Sequence, residues 1–440
     1  VSDLACDVAI VGCGPVGAVA ANLLGLHGLR VTVIERAAEI YDKPRAITGD
    51  HEMLRVLQHC GFGAQLDAMV APHPGSLYLG VDGQPIKRLD PLPPPFPLGW
   101  LPTATFVQPD LEAMLRDGLA RFASVSLLTG WEAVTLTQDV DMVRLTIRQT
   151  GGGATQQVTA RFALACDGAN SALRKALGLT LEDLAFDEWW MVVDTWQRQP
   201  VELPETCVQY CWPERPATFI RGPGDLRRWE IKLLPGEDPT AFGTDDNVRR
   251  QIARFADPDA LELWRSAVYR FHALVARRWQ AGRAFLLGDA AHQTPPFMGQ
   301  GLCAGIRDAA NLAWKLAAVL QGRAAPALLD SYEAERKPHF RTVVERTKEL
   351  GQIIGELDRD AAARRDADLR SALTSGRAQT IRQRLIPDLV DGAIARDAAG
   401  VPCPAAGTLF VQPRVRTAEG DRRLDDALPP GFLFVTTSLG

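Results

Sequence analysis

One six-residue turn, Gly12-Cys13-Gly14-Pro15-Val16-Gly17, constrains this chain more than any other feature. An apolar run at 5–11 (ACDVAIV) precedes it, a small-residue stretch at 18–26 follows, and a second apolar run at 29–35 ends on Glu35. That order reads as strand, turn, helix, strand: a βαβ unit. In such a turn the first glycine permits the bend, and the second lets a pyrophosphate approach the backbone. The third allows close helix–strand contact, and the positive end of the helix faces the anion. A carboxylate about 20 residues on accepts hydrogen bonds from a ribose diol and repels a 2′-phosphate. Glu35, followed by Arg36, therefore points to FAD or NAD at this turn. An ordinary glycine turn is the alternative reading. The sequence contains no second turn of this kind, so a separate nicotinamide domain is not expected.

The 440 residues allow two or three cores. The net charge of −5 comes without a basic block, which argues against a nucleic-acid surface. No apolar run approaches the roughly 20 residues of a membrane span. The first residues enter a strand at once, so no signal peptide is expected and a cytoplasmic location is. Eight cysteines form no CxxC pair, which reads as reduced thiols; seven histidines show no HExxH spacing, and no metal is expected.

Two further motifs follow strand-like runs. Asp167-Gly168 follows the stretch QVTARFALAC at 157–166, and Asp289 follows the run AFLLG at 284–288, whose last residue is Gly288. After the second come Pro295-Pro296-Phe297-Met298-Gly299-Gln300-Gly301 and a strongly helical stretch at 302–320. Gly299 and Gly301 free the backbone to lie flat against a ring. The helix behind them directs about half a positive charge at that ring. Asp289 is suited to accept from polyol hydroxyls. His292 reads best as a packed, hydrogen-bonded side chain.

The ordered set of turn, Asp-Gly and GDAAH…PPFMGQG resembles the class A flavoprotein aromatic hydroxylases, typified by p-hydroxybenzoate hydroxylase, over roughly residues 5–345. It is most similar to the 3-(3-hydroxyphenyl)propionate hydroxylase branch, through FDEWWMVVDT (186–195), RRWEIKLLPGED (227–238), YRFHALVARRW (269–279) and PPFMGQGLCAGIRDAANLAWKLA (295–317). The resemblance implies an α/β fold: a Rossmann-like FAD-binding domain, a second, mostly β-sheet substrate domain and a helical C-terminal segment. It implies FAD as cofactor, NADPH or NADH as a transient co-substrate, and O2 transferred through a flavin C4a-hydroperoxide to a phenolic ring. Resorcinol, 3-hydroxybenzoate or a polycyclic ring are the alternative substrates, and a flavin reductase is an alternative class. A homodimer is compatible with it.

By the same resemblance the FAD-binding domain comprises 1–72, 106–180 and 276–350. An excursion at 73–105 joins a substrate domain at 181–275. Residues 351–440 form a helical segment and an incomplete thioredoxin-like domain, whose opening strands would be GTLFVQPRV and GFLFVTTSLG. Cofactor contacts are implied at Gly12, Gly14, Gly17, Glu35, Arg36, Arg45, Gln108, Asp167, Gly288, Asp289, Pro295, Gly299, Gln300 and Gly301. Asp167 would sit where FAD and nicotinamide meet, or would simply cap a helix, and Arg45 could equally be a surface residue. The Pro296 carbonyl would face the substrate hydroxyl, with His272 as a candidate proton relay. Trp190, Tyr210 and Trp229 are candidates to pack the ring and Arg221, Arg227 or Arg228 to pair with a carboxylate. Core aromatics and a solvated arginine are the alternatives.

Overall fold

The computed structural model describes residues 4–428, 431 and 433. Its first sheet runs in the order Gln280–Ala281, Ala284–Leu286, Thr155–Ala165, Leu4–Val11, Val31–Glu35, Val125–Thr129. The last five are parallel to one another. Val8, Ala9, Ile10 and Val33 are wholly buried, as strands covered on both faces must be. The helices Pro15–Leu26 and Gly301–Leu320 pack on one another beside this sheet. Their contact is close because Gly305 meets Val16: a Cβ there would lie 2.5 Å from a Val16 methyl. Trp131–Gln138 and Val143–Gln149 extend the sheet antiparallel from Thr155–Ala165.

The second sheet is eight-stranded, in the order His292–Gln293, Leu261–Ala276, Leu181–Gln197, Leu226–Lys232, Ala217–Arg221, Cys207–Tyr210, Ser76–Leu79, Pro85–Leu89. Pairing is antiparallel except between Cys207–Tyr210 and Ser76–Leu79. Side chains alternate faces along a strand, and register fixes which residues share one. Met191, Val193, Trp229, Ile231, Phe219 and Tyr210 lie on one face, against Phe242, Val248 and Ile252 from the helices Pro239–Phe242 and Asp245–Ile252. Trp229, Ile231 and Phe219 are 0–1% exposed, each burial worth about 1.5–3 kcal/mol. The opposite face carries Trp190, Val192, Asp194, Arg228, Glu230, Lys232, Thr218 and Gln209. It turns toward the first sheet's loops: Arg228 donates to the carbonyls of Pro44 and Arg45, and the Trp190 ring lies 5.2 Å from that of Phe297.

Beyond residue 330 the chain is helical over Ser331–Gly355 and Arg359–Thr374. The stretch TLFVQPRV differs from expectation. Residues 408–413 form no strand, and the hairpin begins later, pairing Arg414–Thr417 with Gly420–Arg423. The reason is tertiary. Gln412 is fully buried and donates to the Leu98 carbonyl, its backbone N–H bonds the Pro97 carbonyl, and Arg55 pairs with Asp425 at 2.7 Å. These groups hold the segment as a strap on the first domain. The second expected strand, GFLFVTTSLG, lies almost wholly outside the described residues.

Candidate active site

The glycine turn is shaped for a phosphate. Gly12 has φ +98°, and a Cβ on it would lie 2.3 Å from the Cys166 carbonyl oxygen. A Cβ on Gly17 would lie 2.0 Å from the Gly12 carbonyl oxygen. At Gly14 a Cβ would meet nothing within 4 Å, because that residue faces open space. The space is a cleft of about 430 Å³ lined by Gly12, Gly14, Glu35, Arg36, Arg45, Gln108, among others, and by Asp167 and Gly168 on its far wall. Gly168, like Gly14, borders nothing.

The Glu35 carboxylate is buried and already oriented. It accepts from the backbone N–H of Cys13 at 2.6 Å and of Ala37 at 2.8 Å, so one side chain ties the glycine turn to the second strand. A carboxylate has about four acceptor sites, so ribose hydroxyls still find lone pairs. Arg36 is exposed at the rim. Gln108 accepts from the N–H groups of Arg45 and Ala46 at 2.8 and 2.6 Å, fixing the loop at the cleft mouth. The Arg45 side chain is exposed, over the Tyr41 ring at 5.7 Å.

Both readings of Asp167 meet in one side chain. Oδ2 accepts from the N–H of Leu173, a capping bond to the short helix Ala172–Ala176, whose N-cap Ser171 bonds Arg174. Oδ1 is buried with no partner. A buried unpaired carboxylate oxygen is costly, and a donor from a nucleotide in the cleft would satisfy it. With the open approach at Gly14, that orphan oxygen shows that the residues present fit a dinucleotide.

Asp289 follows the buried strand Ala284–Leu286. Its side chain keeps an exposed edge but is densely surrounded, and that crowding by protein raises its pKa, against the opposing pull of His292 and Arg45. Gly288 takes φ +57° to make the bend. His292 is structural: buried, 2.6 Å from Asp308 through Nε2 and stacked on Phe340 at 3.8 Å between centroids.

In the loop before the long helix, Gly299 has φ +61°, and a Cβ there would strike the Thr48 hydroxyl at 2.2 Å. Pro295 is buried and Pro296 half-buried. The Pro296 carbonyl already accepts from the Gly299 N–H at 2.7 Å. It closes this turn, so any substrate hydroxyl would have to share it. The Gln300 side chain turns away to Asp50 and Arg307, leaving its backbone and that of Gly301 at the helix N-terminus.

The second sheet sets the buried Trp190 against Phe297 of this loop and turns three other candidates away from it. Tyr210 and Trp229 lie on the opposite face, in the core under Val248 and Ile252, because their register parity is opposite to that of Trp190. Arg221, at the end of its strand, is exposed. His272 also fails as a relay. It lies on the opposite face to Phe271, whose ring stacks on Trp190, and its Nδ1 is 3.7 Å from the surface carboxylate of Asp187. A loop-and-sheet cluster stands in their place; sequence reading named its Arg228 and missed Asp194 and Arg265. Asp194, fully buried, accepts from Arg228 at 2.7 and 3.1 Å, and Arg265 lies 3.4 Å away and bonds the Pro44 carbonyl. Arg116 was missed as well. In the cleft wall it donates to the Cys13 carbonyl at 2.9 Å and to Glu112 at 2.6 Å. Its only signal in the sequence is the i,i+4 spacing from Glu112.

Residues 5–347 match the FAD binding domain family. The chain belongs to that family. It is 39% identical over 438 residues to a 3-(3-hydroxy-phenyl)propionate/3-hydroxycinnamic acid hydroxylase 2 of Burkholderia vietnamiensis (strain G4 / LMG 22486), covering 98% of this chain and 79% of the relative. Among solved structures it resembles the OxyS anhydrotetracycline hydroxylase of Streptomyces rimosus, with a TM-score of 0.76 and 26% identity, over 96% of this chain and 83% of that one. It also shares its fold with the flavin-dependent monooxygenase PieE, solved with FAD and substrate. There the TM-score is 0.80 and the identity 21%, over 97% of this chain and 84% of that one. The activity is FAD-dependent aromatic hydroxylation, spending NAD(P)H and O2 on a small aromatic substrate. When bound, FAD supplies hydride acceptance and oxygen activation, and the protein supplies binding, orientation and dryness. Among the described residues no helix is long and apolar enough to cross a membrane, and no group of metal-ligating side chains occurs.

Proposed function

We propose that this enzyme hydroxylates a phenolic acid of the 3-(3-hydroxyphenyl)propionate kind. The supporting observation is that relatives named for that substrate and for 3-hydroxycinnamic acid align with 97–98% of the chain at 36–39% identity. The stretches that line the flavin-facing side of the second sheet fall inside that alignment. On this reading the adenosine half lies on Gly12, Gly14, Gly17 and Glu35. The ribityl chain runs past Gln108 and Asp289, and the ring rests on the backbone from Pro295 to Gly301. The nicotinamide visits transiently near Asp167, since FAD occupies the one glycine turn of this kind in the sequence. Trp190, Phe271 and Phe297, whose centroids lie 5.2–6.2 Å apart, give the chamber an apolar wall. The eight cysteines are all free thiols, which suits a reducing, cytoplasmic setting.

The experiment is a screen of phenolic acids on the FAD-loaded enzyme. It follows NAD(P)H and O2 consumption, peroxide release and diol product. A phenylpropanoid phenol should stimulate NAD(P)H oxidation and give a diol with little peroxide. If resorcinol or 3-hydroxybenzoate is coupled far better, the substrate assignment falls and the hydroxylase chemistry stands.

A further inference from the structure

Glu230 is a buried carboxyl outside the nucleotide cleft and the ion-paired cluster of Asp194. It sits on Leu226–Lys232, on the face of the second sheet that turns toward the nucleotide-binding loops, and is 4% exposed. Register places it in a transverse row: Ala267, Val192, Glu230, Thr218, Gln209, Tyr78. One row toward one end stands Trp190, against Phe297 of the loop that precedes the long helix. One row toward the other end stand Asp194 and Arg228, which hold the Pro44 and Arg45 carbonyls. Glu230 thus lies midway between the two loops that bracket the flavin ring in the reading above.

The surrounding groups leave it unpaired. Arg228 spends its donors on Asp194 and the two loop carbonyls; Arg265 bonds Asp194, Pro44 and Tyr269 through its terminal nitrogens, and its buried Nε bonds neither Glu230 nor any other described group. Lys232, next on the same face, is bonded to Glu188 at 2.7 Å and to the Gly355 carbonyl at 2.9 Å. Thr218 gives its hydroxyl proton to Gln209 at 2.5 Å. Among the described residues, no donor bonds the Glu230 carboxyl. The residue is 4% exposed, yet its oxygens are not among the fully enclosed unpaired atoms, so they border space that an incoming donor can enter.

We propose that Glu230 is a catalytic residue that accepts the phenolic proton of the substrate. The proposal rests on the phenolic-acid reading above. The phenol O–H bond breaks, a Glu230 O–H bond forms, and the electron pair stays on the phenolate oxygen, where it enriches the ring. When the hydroxylated ring regains its aromaticity, the C–H bond at the hydroxylated carbon breaks and its proton leaves to solvent, while Glu230 returns its proton to the ring oxygen. No external oxidant or reductant enters this step. Burial pushes the free carboxyl up to about 7, with Arg228 opposing and Asp194 adding to the rise. A base in that range is matched to taking a proton near neutral pH.

The test uses the FAD-loaded enzyme and Glu230→Gln, with Glu230→Asp as the conservative variant. At pH 8, infrared difference spectra are taken on adding 3-(3-hydroxyphenyl)propionate or its O-methyl ether, which binds without a proton to give. The phenol should produce a new protonated-carboxyl band in the wild type and none in Glu230→Gln; the ether should produce none in either. The acid limb near pH 7 in the hydroxylation rate should vanish in Glu230→Gln. Its diol yield per NAD(P)H should fall at least tenfold, with substrate affinity kept within about threefold. Glu230→Asp should restore part of the limb. If the wild type hydroxylates the phenol but shows no carboxyl band, or if Glu230→Gln keeps the acid limb and its coupling, the role of Glu230 is overturned and the substrate reading survives. If the wild type neither binds nor hydroxylates any phenolic acid, both fall together.

Discussion

Glu35 does two jobs with one carboxylate, and Glu35→Gln separates them. The wild-type carboxylate accepts from Cys13 N–H at 2.6 Å and Ala37 N–H at 2.8 Å, and in the proposed complex it accepts from the ribose as well. Gln keeps the shape but has one acceptor oxygen, so it cannot serve all three donors. Its amide end must face at least one N–H or hydroxyl. A hydrogen bond to a charged group is worth about 1.5–3 kcal/mol and a neutral one about 0.5–1.5 kcal/mol. Losing the charge on the two backbone bonds should cost the apoprotein about 1–3 kcal/mol. Losing the ribose acceptor should weaken FAD by a further ~1–2 kcal/mol, or about 5- to 30-fold in Kd. Apoprotein is titrated with FAD by the quenching of flavin fluorescence, and the melting of apo and loaded forms is compared. The reasoning fails if Glu35→Gln binds FAD within twofold of the wild type while the apoprotein is equally stable. It also fails if affinity drops without any loss of apoprotein stability, since the backbone bonds exist before the nucleotide arrives.

Gly17→Ala should abolish FAD retention, because its Cβ would lie 2.0 Å from a backbone oxygen that cannot move aside; normal flavin content after purification would refute this. Arg228→Met leaves the fully buried Asp194 with only Arg265 at 3.4 Å and should cost about 3–5 kcal/mol in denaturant melts; a loss under 1 kcal/mol would show the pair to be dispensable. Glu230 has a folded-state pKa of about 7 against an ordinary 4.5, so folding favours its protonated form. Its contribution is fully present below about pH 4.5 and is lost as pH rises toward 7, a total of about 3 kcal/mol. Glu230→Gln, neutral throughout, should therefore gain stability on the wild type between pH 5 and pH 8 in paired melts, and a constant difference would refute the assigned protonation.

The nucleotide half of the site was legible because its physics is local. A bend that only glycine can make, a helix that starts there and a carboxylate that ends the next strand are all written within about 25 residues. The same holds at Gly299, where a positive φ and a tight wall force the residue type. The tail was not legible in the same way. TLFVQPRV has strand propensity, but the burial of Gln412 and the Arg55–Asp425 pair hold it as an irregular strap, and both involve partners more than 300 residues distant.

The substrate half failed for a reason that can be stated residue by residue. Aromatic side chains in a sheet suggest a chamber lining because rings pack rings, which points to Trp229 and Tyr210. Yet Arg228-Trp229-Glu230-Ile231-Lys232 alternates charged and apolar residues. In a sheet with one wet face such a pattern sends the charges to solvent. Here every residue of Leu226–Lys232 is buried, so the charged face has to be buried against something other than a hydrophobic layer. A polar stripe with no water to face is stable only if its charges pair or if a ligand completes it. Arg228 pairs with Asp194 and Lys232 with Glu188, and Glu230 between them does not. The position that breaks the pairing rule on this face is therefore the one from which the chemistry of the bound ring is best read. The aromatic residue beside it marks only the side on which the sheet is dry.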